Sequence, residues 1–288
     1  MKASVIGIKV KYIFFIIDLL LIPVKLIFKL NFLITRKPFG LGYELYKWQR
    51  IKEELLKINK FKKNNFFNFI NVSGLDERIV EYSWIFYELK NLKGNLLDAG
   101  STLNFPIILD QLKSRFNIFI QTLFPENICN YEDGISYLYT DLTKKIFIDN
   151  YFEVITCIST LEHVGFDVSI YSKNILKKKN IDSNSYIKVV KDFRRILKKN
   201  GILLLTLPFG KKESFQELQQ FDKLMIDNII KNFRPSKFEK RFAVYKDFSW
   251  RECNEIDCKN ISFRKFSNKK SYDNAASARS IILLKLVK

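Results

Sequence analysis

The sequence predicts an α/β fold, a parallel sheet with covering helices over residues 71–288, behind a basic, apolar helical extension over residues 1–70. Three observations predict it. From about residue 76, short apolar runs alternate with helical patterns, as they do where crossover helices join parallel strands. The chain of 288 residues is long enough for one α/β domain of ordinary size and an appendage. Its hydrophobic fraction of 47% against 27% charged residues is that of a globular protein.

The extension holds the most apolar stretch, Tyr12–Ile34, YIFFIIDLLLIPVKLIFKLNFLI. A spanning helix takes about 20 apolar residues. Here Asp18 falls in mid-segment, Pro23 follows, and Lys25 and Lys29 lie in the second half. An Asp at mid-bilayer costs roughly 2.5–3.5 kcal/mol. Lys11, Asp18, Lys25 and Lys29 recur at helical spacing, a narrow polar stripe against a broad apolar face. That suits a helix lying in a membrane interface, or packed on its own domain or a second subunit, better than a span. No small-residue cleavage site follows, which disfavours a cleaved signal peptide. Residues 1–70 carry 14 Lys or Arg against 4 Asp or Glu, a balance that favours anionic lipid. Lys37–Tyr43, KPFGLGY, reads as a turn-rich connector to the next helix.

In the body, Asp76–Leu92 has apolar residues at helical spacing, with Asp76 as its cap. The first strand is Asn95–Ala99, followed by a helix from Phe105 to Ser114 and a second strand, Phe116–Leu123. A short third strand spans Ser136–Tyr139. The fourth, Tyr151–Ser159, reads YFEVITCIS and is strongly apolar and β-branched. Asn184–Lys199 is an amphipathic helix stopped by Asn200-Gly201, and a fifth strand starts at Ile202. Ser214–Phe233 reads as helical, and Phe238–Phe248 with Ser277–Val287 as a closing antiparallel pair.

The formal charge is +19, yet Arg occurs at only eleven positions, leaving 38 Lys among the 49 basic residues. Lys is a solvated point charge, whereas base reading favours the forked guanidinium. A lysine-coated surface is expected, with no specific nucleic-acid partner. Cys129, Cys157, Cys253 and Cys258 form no CxxC pair, and His163 is the only histidine. No metal site is expected, and the thiols fit a reducing cytosol.

In an open parallel sheet the ligand crevice lies beyond the carboxyl ends of the strands, where strand order reverses. Two polar, turn-forming segments stand at such ends: DAGSTLN after the first strand and STLEHVG after the fourth. In a doubly wound order they are neighbours. Gly100 permits a tight turn and close backbone approach. With no further glycine there, a pyrophosphate cradle of the G-x-G-x-x-G kind is poorly supported. A ligand without phosphate needs fewer bare amides, so Ser101, Thr102 and Asn104 can serve it through hydroxyl and amide groups.

The order LLDAGS, YTDL at Tyr139–Leu142, FEVITCISTLEHVG and FRRILKKNGILLLTLPFG resembles class I S-adenosylmethionine-dependent methyltransferases, most of all those of bacterial glycan and small-molecule pathways. The upstream helix ERIVEYSW is also similar. The resemblance covers residues 76–288 and implies a Rossmann-like, seven-stranded sheet, mostly parallel with an antiparallel C-terminal strand and helices on both faces. It implies S-adenosyl-L-methionine as cofactor. Asp98 and Gly100 match the positions that hold the methionine part and the turn beneath it. Thr102 and Asn104 replace two usual glycines. The acid that grips the ribose is missing near Thr122, where Gln121, Thr122 or Glu126 must substitute. Asp141-Leu142 matches the contact to the adenine amino group, and Ser159 and Thr160 match the end of the fourth strand that lines the cofactor. Glu162 and His163 are the catalytic candidates, since an imidazole takes up an acceptor's proton at neutral pH. Their rival role is to order the loop. Pro208-Phe209-Gly210 is expected to shape the acceptor pocket, with Phe209 as a wall.

The expected function is O- or N-methylation of a small-molecule or glycan-linked acceptor, in the cytoplasm or peripheral on a membrane. The alternatives are a non-catalytic, membrane-associated scaffold with a methyltransferase-like fold, and a nicotinamide-dependent enzyme. A nucleic-acid methylase is disfavoured because no N/D-P-P-Y/F motif follows the fourth strand.

Overall fold

The computed structural model describes residues 22–58, 74–171, 180–263 and 273–288. Two helices come first. Helix α1, Ile22–Thr35, buries only Phe32. Helix α2, Tyr43–Lys57, buries Tyr43, Ile51 and Leu55. The connector between them needs its glycine: Gly42 has φ +84°, and a Cβ there would fall 1.9 Å from the Phe28 carbonyl oxygen. Residues 12–21 of the expected N-terminal helix lie outside the described residues. Phe32, Tyr43, Ile51 and Leu55 belong to the same apolar cluster as the central strands, so this pair of helices is packed on the body.

Helix α3, Arg78–Leu89, follows, with Asp76 Oδ1 accepting from the Arg78 amide at 3.2 Å. Lys47 on α2 pairs with the same Asp76 at 3.2 Å and ties the extension to the start of the body. The parallel strands are β1 (Gly94–Ala99), β2 (Phe116–Thr122), β3 (Ser136–Tyr139), β4 (Phe152–Ile158) and β5 (Leu197–Pro208). Helix α4, Pro106–Leu112, joins β1 to β2, and α5, Ser185–Ile196, precedes β5. After a small hairpin, β6 (Glu213–Ser214) and β7 (Gln219–Gln220), come α6 (Lys223–Phe233), β8 (Lys237–Lys246), β9 (Ser249–Cys253), a short α7 (Glu255–Cys258) and β10 (Ser280–Val287).

The main sheet has the order β3-β2-β1-β4-β5-β10-β8-β9. β10 runs antiparallel to both β5 and β8. Apolar side chains leave this sheet on both faces. One layer packs under α2, α3 and α4, the other under α5 and α6. Strand order reverses at β1, which pairs parallel with both β2 and β4, and the crevice opens at that point.

Three local expectations are corrected. The sheet has eight strands, because β9 pairs with β8 through a two-residue turn, Asp247-Phe248, with φ of +50° and +62°. Both residues of such a turn must be left-handed, a demand usually met by Asn-Gly or Asp-Gly. The α5 helix ends at Ile196, and Asn200-Gly201 is inside β5. Asn200, at φ +64°, sits where the pairing of β4 with β5 slips between Phe152 and Val154, so it forms a bulge and not a helix stop. The first third of Ser214–Phe233 is a hairpin. The Gln219 amide donates to the Ser183 carbonyl at 2.9 Å and the Gln220 amide to those of Lys211 and Ile261 at 2.8 Å. These bonds hold the segment extended until Asp222, which caps α6 through the Met225 amide at 2.9 Å.

Candidate cofactor and acceptor site

The two bends touch. Gly100 leaves β1 with φ +117°, and a Cβ added to it would lie 2.1 Å from Thr160 Oγ1, just past the end of β4. Beside this contact a cavity of about 660 Å³ opens at the carboxyl ends of β1, β2 and β4. Gly100, Thr102, Thr122, Asp141, Leu142, Ser159, Thr160 and His163 all line it. Asp98, Ser101, Asn104 and Glu162 do not; they stand behind its wall.

Asp98 organises the bend. It is fully buried, its Oδ2 accepts from the Leu103 amide at 2.7 Å, and its Oδ1 accepts from Thr102 Oγ1 at 3.2 Å and Thr156 Oγ1 at 3.3 Å. Burial raises its pKa to about 7 against these three donors. Ser101 and Asn104 turn inward to one acceptor, Glu126 Oε2, at 2.7 and 3.1 Å. Asn104 also donates to the Ile128 carbonyl at 3.0 Å and accepts from Tyr137 at 2.8 Å. The polar side chains of STLN are thus hydrogen-bonded within the protein; Thr102 lines the cavity, and so does Glu126, which Ser101 and Asn104 hold. Glu126 lies five residues beyond Gln121, on the loop after β2.

On the opposite wall, Asp141 Oδ1 accepts from the Thr143 amide at 2.7 Å. Its backbone carbonyl accepts from Gln121 at 3.4 Å, which ties the β3 end to the β2 end. Ser159, at φ +39°, donates through Oγ to Glu81 Oε1 at 2.6 Å, and Thr206 donates to the same oxygen at 2.6 Å. Glu81 is wholly buried and its other oxygen pairs with Arg78. Arg78 itself lines the cavity. Sequence reasoning missed Arg78; the signal was its place in DERIVEY, the one cation in a run with three acids.

Glu162 is 4% exposed, and its Oε2 has no hydrogen-bond partner among the described residues. Burial pushes its pKa well up, with Glu81 and Glu77 adding to the push. Burial thus disfavours its charged form. His163 Nδ1 lies 2.8 Å from the Glu217 carbonyl oxygen. A carbonyl accepts only, so Nδ1 carries the proton and Nε2 is the basic nitrogen. Burial lowers the imidazole pKa below its ordinary value, only partly offset by that carbonyl.

Phe209 is not a wall of the cavity. It is 1% exposed, with its ring 4.9 Å from that of Phe242 in the core. Gly210 has the Ile261 carbonyl oxygen 2.1 Å from where its Cβ would be, so the bend after β5 packs on the segment after α7. The apolar walls come instead from Leu123, Phe124, Leu142, Val164 and Phe166.

No family model matches the chain, and no curated protein matches it. Among solved structures, the chain is similar to phosphoethanolamine N-methyltransferase 2 of Haemonchus contortus, in complex with S-adenosyl-L-methionine, at 15% identity and a TM-score of 0.38. That likeness covers 52% of this chain and 34% of the other, so the chain spans about a third of that protein. It is similar to the YcgJ protein of Bacillus subtilis at 11% identity and a TM-score of 0.43, over 71% of this chain and 97% of that one. A SAM-dependent methyltransferase of Thermotoga maritima shares 13% identity at a TM-score of 0.42, over 84% of this chain and 99% of its own.

Proposed function

We propose that the protein is an S-adenosylmethionine-dependent methyltransferase acting on a hydroxyl, amine or carboxylate of a small-molecule or glycan-linked acceptor in the cytoplasm. One observation carries the reading: the Gly100 bend and the Thr160 bend meet at the rim of a single cavity that holds two acids, one arginine and one imidazole. Glycine is required where they meet, as it is where backbone must approach a ligand closely.

The residues present suit the two ends of the cofactor. Arg78 offers a guanidinium to the methionine carboxylate. Glu126, held by Ser101 and Asn104, offers carboxylate oxygens to the ribose hydroxyls. Asp141 and Leu142 suit the adenine, the first through its amino group and the second through its ring face. When bound, the cofactor supplies a methyl group already activated by a positive sulfur. The protein's part is to orient the acceptor in line with it, keep water out and receive a proton. Val164 and Phe166 provide the water-excluding wall. His163 Nε2 would take the proton of a hydroxyl acceptor as its oxygen is methylated, or that of an ammonium beforehand so that its nitrogen has a free electron pair, while the Glu217 carbonyl holds the ring by Nδ1. The lowered pKa keeps this nitrogen unprotonated at neutral pH. Glu162 supports the bend from behind and has no direct part in the transfer.

Thermal-shift titration tests the reading. S-adenosylhomocysteine should raise the melting temperature and NAD should not. A shift with NAD alone would assign the cavity to a nicotinamide cofactor, and no shift with either would leave a scaffold.

A further inference from the structure

Wide exposure of large apolar side chains is concentrated on one helix. Ile22, Leu26, Ile27, Leu30 and Ile34 of α1 are 54%, 53%, 62%, 47% and 82% exposed. At 100° per residue they fall on one side of the helix, opposite Phe32, the residue that packs against Tyr43 at a ring distance of 5.6 Å. Phe39 and Leu41, in the turn that follows, are 50% and 53% exposed. A contiguous patch of this kind marks a surface that something covers.

Its charge says what. Residues 22–43 contain Lys25, Lys29, Arg36 and Lys37 and no Asp or Glu. Lys29 lies at the border between the packed side and the exposed stripe, where a side chain reaches headgroup level while its stem covers apolar surface. A second copy of this chain is a poor cover, because a twofold contact would set each cationic patch against its twin. Residues 1–21 carry Lys2, Lys9 and Lys11 against the single Asp18, so they bring no net negative charge to set against the patch. A lipid surface with anionic headgroups satisfies both the apolar stripe and the cations. Among the described residues no helix is long and apolar enough to cross a membrane.

We infer that α1 docks the protein on an anionic membrane, with the Leu26–Ile34 stripe among the upper acyl carbons and Lys29 and Lys37 at the phosphates. The docked unit is in contact with the cavity's own loop. Trp48 of α2 lies 4.4 Å from Phe105 and 6.0 Å from Tyr82, ring to ring, and Tyr82 donates to the Thr102 carbonyl at 2.5 Å. Docking therefore fixes how the cavity stands relative to the lipid. The inference does not depend on what the cavity catalyses.

Flotation of the full chain with phosphatidylcholine vesicles, with and without phosphatidylglycerol, tests it. The protein should float with the anionic vesicles only, and less as salt is added. Ile27→Asp with Leu30→Asp, both at exposed positions, should abolish flotation while melting temperature and any response to S-adenosylhomocysteine stay as in the parent. Lys29→Glu with Lys37→Glu should cut the bound fraction about tenfold or more. No flotation of the parent, equal flotation with neutral vesicles, or a dimer in light scattering that Ile27→Asp breaks would each overturn the inference.

Discussion

Gly100→Ala is the sharpest test of the convergence on which the site depends. Two separate costs follow from the geometry. At φ +117° an L-residue is held where it is rarely found, at about 1–3 kcal/mol. Its Cβ would also sit 2.1, 2.5 and 2.7 Å from Oγ1, Cγ2 and Cβ of Thr160. These are three overlaps with one side chain near its base, where it cannot swing away, and overpacking of this order costs about 1–3 kcal/mol. The substitution should thus lower stability by about 2 kcal/mol or more, a fall in melting temperature of at least about 4 °C for a domain this size. Thr160→Gly in the same chain removes the overlap and leaves the backbone cost. A double-mutant cycle by thermal or denaturant unfolding should therefore give a coupling of about 1–3 kcal/mol between the two positions, with the double variant more stable than additivity requires. Calorimetry with S-adenosylhomocysteine should show the same pattern, binding lost in Gly100→Ala and regained in part with Thr160→Gly. Effects that simply add, within about 0.5 kcal/mol, would mean the bends after β1 and β4 are not in contact, and the site would fall with them.

Two further predictions concern the chemistry of the walls. Glu126→Ala should weaken S-adenosylhomocysteine by about tenfold to a hundredfold in calorimetry, the loss expected for charge-assisted hydrogen bonds worth about 1.5–3 kcal/mol; unchanged affinity would remove Glu126 as the ribose acid. Because His163 is the only histidine in the chain, its ¹⁵N imidazole signals in an untagged protein need no assignment. They should titrate with a midpoint below 6.5 and show the Nδ1–H tautomer at pH 7. The folded chain then binds fewer protons than the unfolded one between that midpoint and 6.5, so this group's contribution to stability rises with pH across the window and is lost as pH falls through it. A midpoint at or above 6.5, or an Nε2–H tautomer, would remove His163 as the proton acceptor.

The sheet was legible because its signal is hydrophobic periodicity, which survives in YFEVITCIS and ILLLTL whatever surrounds them. The elements misread were those set by a few polar contacts. Nothing local in KKNGI distinguishes a helix stop from a bulge; pairing with β4 across the sheet decides it. Gln219 and Gln220 fit a helical pattern, and only their reach to the carbonyls of Ser183, Lys211 and Ile261 keeps them extended. The site was legible to the same degree. Gly100, Asp141, Thr160 and His163 stand at strand ends, and strand ends can be found from pattern. Arg78 belongs to a helix before the sheet, and Phe209 adjoins a strand end yet faces the core, so neither position follows from strand boundaries. The direction of Ser101 and Asn104, inward to Glu126, depends on a loop conformation that spacing does not encode.

The STLN loop shows why missing glycines need not mean a lost site. Ser101 occupies φ +61°, left-handed backbone that glycine adopts freely and that costs other L-residues about 1–2 kcal/mol. A glycine there would relieve that cost and would also delete the hydroxyl that holds Glu126 at 2.7 Å. Without Ser101 and Asn104, Glu126 lies on a loop beyond β2 with nothing to direct it at the cavity. On the proposed reading, Asn104, one of the two residues at usual glycine positions, joins Ser101 in holding Glu126, which would stand in for the acid absent from the end of β2. The carboxylate that Ser101 orients faces the cavity. Decay by drift would leave no reason for Ser101 and Asn104 to meet on one oxygen. They do meet there, at Glu126 Oε2, which favours a rebuilt ligand wall over a vestige.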